Sequence, residues 1–191
     1  TTSSIGQKPV KIPRKNSAVD SSARQKASDA IGATPEIISA HRIIIEFADP
    51  NPFKEIHIGH VRNIALGESF CRLMESQGNI VRRANYEGDV GMHVAKSLWG
   101  CQRLDKDGVD ITGVGLDIRG KAALLGRAYA VGSKAFEGEK QSAEDITNLN
   151  KKIYAMDESI VAQWRRGRQW SLDYFDTVYA RLGTHFDRYY F

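Results

Sequence analysis

The first clear hydrophobic pattern lies at 43–47, where Ile43, Ile44 and Ile45 precede Glu46 and Phe47. A short unbroken run of β-branched residues predicts a buried strand of a parallel sheet. Pro50, Asn51 and Pro52 stop it and force an extended turn. The spacing then changes to threes and fours. Val61, Ile64, Phe70, Leu73 and Met74 predict an amphipathic helix over 59–77, ended by Gly78. A second strand is expected over 79–85, with Ile80 and Val81 at its apolar centre. A strand–helix–strand succession folds as a crossover into a parallel sheet. Residues 86–91, YEGDVG, then form a glycine-flanked turn at the carboxyl end of the second strand. Ligands of open α/β sheets bind outside those ends, so this turn and the 50–60 loop can open onto one crevice.

Beyond that point the pattern is mostly helical. A helix over 92–99 is expected to end at Gly100, and 101–120, with four glycines, reads as an irregular connection. Further helices are expected over 121–136, 143–154, 158–168 and 171–182. Gly138 separates the first two of these, Ser142 with Asp145 resembles a capping box with a shorter acid, and Gly183 closes the last. Residues 186–191 look like the start of another strand. The chain therefore divides into a tail or appended segment (1–40), the first half of a Rossmann-type α/β domain (41–100), an irregular and helical insertion (101–170) and a return to the sheet (171–191). A Rossmann-type sheet needs more strands than these, so the chain reads as truncated. Within 1–40, a short surface helix over 23–31 competes with a flexible tail.

Composition narrows the picture only a little. The 191 residues suffice for one buried core, and 41% apolar with 26% charged residues is ordinary for a globular protein. A net charge of +4 permits a polyanionic partner without requiring one. Cys71 falls in the helical pattern and reads as a reduced core residue, and two cysteines are too few for a cysteine-only zinc site. No apolar run reaches the length of a membrane span, and no signal peptide is visible.

The chemistry concentrates at the strand–helix junction. His57, Gly59 and His60 stand where backbone N–H groups and a positive helix end face an anion. A glycine there lets a ring or phosphate approach, and two imidazoles can donate to oxygens that gain charge when a phosphate is attacked. Lys54 adds a mobile cation. The bland alternative is a chance HxGH tetrapeptide with a structural glycine. Glu46 has its own alternative, an exposed strand-end charge, and Asn51 reads equally as an Asx-turn residue. Arg165, Arg166 and Arg168 read as a solvated helix end rather than a contact to nucleic-acid phosphates.

The residues from Glu46 to His60 (EFADPNPFKEIHIGH) resemble class I aminoacyl-tRNA synthetases, and arginyl-tRNA synthetase in particular. The likeness continues through Asn85, Tyr86, Gly88, Asp89 and Gly91, similar to that family's N-Y-x-G-D-W-G turn, and reappears over 170–187. The resemblance implies a Rossmann-type fold and arginine–tRNA ligase activity. L-Arginine and ATP, with Mg2+ accompanying the ATP, would give arginyl-adenylate, which is then transferred to tRNA(Arg). It implies His57, His60 and Lys54 as catalytic and phosphate-binding residues, with Gly59 making room for adenine. Glu46 and Asn51 would bind arginine. Asp49, acidic where small residues are common in the family, would add attraction for the substrate's ammonium. Tyr86 and Asp89 would line the crevice. Asp89 is most simply a turn-maker there. It further implies a cytoplasmic monomer, no metal site in the protein itself and no membrane association. Val90 and His93 depart from the family's usual tryptophan and polar amide. The KMSKS-type loop has no counterpart in this chain, and the anticodon-binding domain is expected beyond Phe191. The isolated chain is therefore not expected to aminoacylate. The competing reading is a non-catalytic synthetase-like paralogue or tRNA-binding module.

Overall fold

Alternation and helical spacing along the chain resolve, in a computed structural model that describes residues 40–191, into three strands and five helices. The surface helix considered over 23–31 lies outside the described residues. Strand β1 (Arg42–Glu46) leads through a loop to helix α1 (Ile58–Ser76), and β2 (Ile80–Tyr86) follows. Helices α2 (Met92–Lys106), α3 (Ile118–Gly138), α4 (Lys140–Tyr154) and α5 (Glu158–Leu182) come next, and β3 (Arg188–Tyr190) ends the order. The sheet is parallel, β1-β2-β3, with Ile44 opposite Arg82 and Ala84 opposite Arg188. The parallel α/β architecture expected from the pattern is the one observed, and the segment at 186–191 does supply a strand.

Two cores share the work. The sheet core joins Phe47, Ile64, Cys71, Val81, Phe175, Tyr179 and Phe186, so α1 and the end of α5 cover one face of the sheet. Phe186 sits among three aromatic neighbours, 4.8 Å from Phe47, 4.9 Å from Tyr179 and 5.8 Å from Tyr189. The helical core is formed by α2–α5 around Val94, Leu98, Leu125, Ile146 and Ile153, together with Phe53 from the loop. Helices α2 and α3 meet backbone to backbone: a Cβ on Gly100 would lie 1.9 Å from the Ala128 carbonyl oxygen.

Several expectations change. The β1 strand is not buried on both faces, since Ile44 is 70% exposed and Ile80 52% exposed, together with Tyr86 and Tyr190 on the same side. Adjacent strand residues point to opposite faces, so Ile80 and Val81 could not both be core. Helix α1 buries Ile64, Gly67, Glu68 and Cys71, whereas Phe70 and Leu73 are exposed. Gly67 takes the Phe47 ring, and Glu68 takes Arg83 in a buried ion pair at 2.9 Å. Helix α2 runs through Gly100, because that glycine serves helix packing rather than termination. The segments at 158–168 and 171–182 are one continuous helix. Ser142 lies inside α4 and donates to Glu139, which precedes the helix, so the capping box with Asp145 does not form. Gly183 does cap α5, at φ +71°.

Candidate active site

The loop between β1 and α1 is held in an unusual shape. Ala48, Asp49 and Phe53 have φ values of 80°, 47° and 67°. Left-handed conformations cost non-glycine residues on the order of 1–3 kcal/mol each and persist only where surroundings over-determine them. Here two aromatic anchors do so. The Phe47 ring lies on Gly67 of α1, and the fully buried Phe53 ring lies on Gly167 of α5. A Cβ at those glycines would fall 2.1 and 2.3 Å from the respective rings. The Phe53 N–H donates to Ser171 Oγ at 2.8 Å, and the Asp49 N–H donates to Asn85 Oδ1 at 3.1 Å. Asp49 Oδ1 in turn accepts from the Tyr86 N–H.

The histidines cap α1 reciprocally. His57 is the N-cap residue, and its Nδ1 accepts from the Gly59 N–H at 3.1 Å. The His57 N–H donates to His60 Nδ1 at 3.2 Å, and the rings stack with centroids 3.9 Å apart. Both Nδ1 atoms are therefore acceptors, so each neutral ring carries its proton on Nε2. Each then keeps an Nε2–H donor that the cap does not consume. A Cβ on Gly59 would lie 2.9 Å from His57 Cε1, so the glycine first of all lets this ring fold onto the cap. Burial, His57 and Lys54 all push the His60 pKa down. Lys54 lies over the Tyr129 ring of α3, 4.4 Å from its centroid.

The 86–91 turn faces this loop. Asn51 Oδ1 would be 3.2 Å from a Cβ on Gly88, so Asn51 and the turn are in close approach. Asp89 is buried and pairs with Arg168 at 2.7 Å, while its carbonyl accepts from Trp164 Nε1. The Asp89 side chain is thus engaged with a distant helix. Arg168 is not at a solvated helix end: it lies inside α5, bound to Asp89 and stacked 3.9 Å from the Phe191 ring centroid. His93 bonds the Gly88 carbonyl through Nε2 at 2.9 Å. Burial outweighs that bond and lowers the His93 pKa. Glu46 is exposed on the uncovered sheet face, contrary to the burial expected from its apolar neighbours. Tyr86 lies on the same face.

Behind the turn lies a polar network that has no signature in the sequence. Asn85 Nδ2 donates to Glu87 Oε1 at 2.7 Å and to the Tyr179 hydroxyl, which itself donates to Glu87 Oε1. Glu87 is fully buried, and its Oε2 has no hydrogen-bond partner. Burial pushes its pKa up to about 7 against the opposing Tyr179 hydrogen bond. Among the described residues no group of three or more His, Cys, Asp or Glu is placed to hold a metal ion, and no helix is long and apolar enough to cross a membrane. Cys71 and Cys101 are both free and buried.

Residues 26–188 match the family model for class I tRNA synthetases (R), catalytic domain. The chain is 31% identical over 168 residues to an arginine–tRNA ligase of Porphyromonas gingivalis, covering 78% of this chain and 27% of that protein. It is 28% identical over 163 residues to one of Bdellovibrio bacteriovorus, covering 82% and 27%. Among solved structures it is similar to Thermus thermophilus arginyl-tRNA synthetase, with a TM-score of 0.59 at 22% identity over 86% of this chain and 26% of that one. Plasmodium falciparum arginyl-tRNA synthetase gives 0.53 at 20% identity, over 81% and 25%. At these identities the structures establish the shared fold. The chain spans little more than a quarter of the length of these relatives.

Proposed function

Since the chain belongs to the class I tRNA synthetase (R) catalytic-domain family, we propose that it forms the ATP-binding and arginine head-group side of an arginine–tRNA ligase. In the first step a carboxylate oxygen of L-arginine attacks the α-phosphorus of ATP. The bond from that phosphorus to the β-phosphate bridging oxygen breaks, and pyrophosphate leaves. In the second step a hydroxyl of the terminal adenosine of tRNA(Arg) attacks the activated carbonyl, gives up its proton and displaces AMP. The observation that carries this reading is the reciprocal capping of His57 and His60. It spends both Nδ1 atoms internally and leaves two Nε2–H donors, beside the helix N-terminus, for oxygens that gain charge at the α-phosphate.

Lys54 contacts the outer phosphates, and Gly59 leaves room for adenine. Asn51 binds the amino-acid head group, Asp49 attracts its ammonium, and Glu46 offers a carboxylate to the guanidinium. Tyr86 borders the crevice on the sheet side, and Asp89 lines it while paired with Arg168. Magnesium that accompanies ATP would take its ligands from phosphates and water. The same reading places the protein in the cytoplasm as a monomer.

Pyrophosphate exchange by the protein that carries this chain, with each amino acid supplied singly and with or without tRNA, tests the reading. Exchange with arginine alone is expected, and His60→Ala should slow it roughly 100- to 1,000-fold, as removal of one oxyanion donor does. Exchange driven by another amino acid overturns the specificity. Wild-type exchange by His60→Ala overturns the phosphate role, and no exchange with any amino acid favours a non-catalytic paralogue.

A further inference from the structure

Lys54 and Tyr129 are far apart in sequence, and Tyr129 belongs to α3 of the helical layer rather than to the loop and α1 that carry the histidines. The two meet because α3 passes against the loop at Gly126. A Cβ there would lie 3.1 Å from Glu55 Oε2 and 3.2 Å from Glu55 Cγ, so the helix and the loop side chain are in close approach at this point. Tyr129 follows three positions later, on the same helix face. Its ring lies under the Lys54 ammonium at 4.4 Å. That ammonium is within electrostatic reach of both His60 and His93. A lysine on a flexible four-carbon stem otherwise loses much rotamer freedom when it binds an anion. An aromatic face that already restrains it reduces that loss.

We propose that Tyr129 is a positioning residue for Lys54: the helical layer, brought close at Gly126, holds the Lys54 ammonium on the Tyr129 ring, poised for the outer phosphates of the nucleotide. The inference rests on the nucleotide reading above and extends it to α3. The ring face carries most of this hold, and the Tyr129 hydroxyl, which also engages the Lys54 side chain, adds the rest.

The test is calorimetric titration of the full chain with ATP, inorganic pyrophosphate and adenosine. Tyr129→Leu should weaken ATP and pyrophosphate about 3- to 30-fold, the span of a cation–π contact from exposed to desolvated settings. Tyr129→Phe should restore most of that loss, and adenosine affinity should not change in either variant. In a Lys54→Ala background, Tyr129→Leu should cause no further loss, because the pair acts as one unit. Equal affinity for pyrophosphate in wild type and Tyr129→Leu overturns the proposal, as does an undiminished loss in the Lys54→Ala background. If Tyr129→Leu does not fold, Tyr129→Phe decides: a loss as large as that of Lys54→Ala overturns the role assigned to the ring. Wild-type chain that binds neither ATP nor pyrophosphate sinks the nucleotide reading itself and this role with it.

Discussion

Glu87 is the residue whose chemistry is most out of balance with its surroundings. Its Oε1 accepts two hydrogen bonds while Oε2 is buried without one, and burial holds its pKa near 7 against an ordinary 4.5. The folded state therefore binds this proton more tightly than the unfolded state does. The resulting stability is complete below about 4.5 and is lost as pH rises through about 7. Glu87→Gln keeps an acceptor for Asn85 and Tyr179 and cannot ionise. It should flatten the decline, as read from urea midpoints across that window. Parallel pH profiles for wild type and variant would remove Glu87 from this role. Asn85 also accepts from the Asp49 N–H, so this network reaches the loop at one of its left-handed residues.

At the scale of elements, a buried ion network joins α1 to β2. Arg83 reaches both Glu68 and Glu75, and Thr184 closes the cluster on Glu68. Burial alone would raise Glu68, but the hydrogen bonds from Arg83, Arg72 and Thr184 outweigh it and hold the carboxyl at about 2. Its contribution is therefore present above about 4.5 and disappears as pH falls through about 2. Arg83→Met leaves the buried Glu68 with only Arg72 and Thr184 and should cost up to about 3–5 kcal/mol in denaturant unfolding at neutral pH. A loss no larger than that of an exposed arginine would mean the network is relaxed in solution. This network also explains what the sequence left hidden. The order of elements, the junction and its histidines are local, written in runs of three to six residues. The buried face of α1 is not, because Gly67 and Glu68 become core only through Phe47 and Arg83. By type, Phe70 and Leu73 looked the better candidates. Phe53, Gly167 and Tyr129 had no local mark at all, since their meaning lies in partners on distant elements.

For the whole molecule, α5 is the member that unites the two cores. Its 25 residues run about 37 Å, with Ile160 in the helical core and Phe175 and Tyr179 in the sheet core. Phe53 crosses the same boundary from the loop. Gly167→Ala should push that ring out of its seat and cost about 1–3 kcal/mol, the usual penalty of overpacking. Because Phe53 and Lys54 are adjacent, the variant should also weaken ATP binding, although Gly167 is no part of the proposed nucleotide site. Thermal unfolding and ATP titration on the same preparation check both effects. Loss of stability with unchanged ATP affinity would show that the anchor and the site are independent.

The bond between the Phe53 N–H and Ser171 Oγ spans 118 positions. In a polypeptide made from its amino end, the loop that leads to His57 and His60 therefore emerges well ahead of Ser171 on α5. At ordinary synthesis rates, roughly 6–24 s separate the two partners. During that interval the loop has neither Gly167 nor Ser171 to hold Ala48, Asp49 and Phe53 in their left-handed conformations. The shape of the loop that leads to the histidines thus waits on α5 rather than on the histidines themselves.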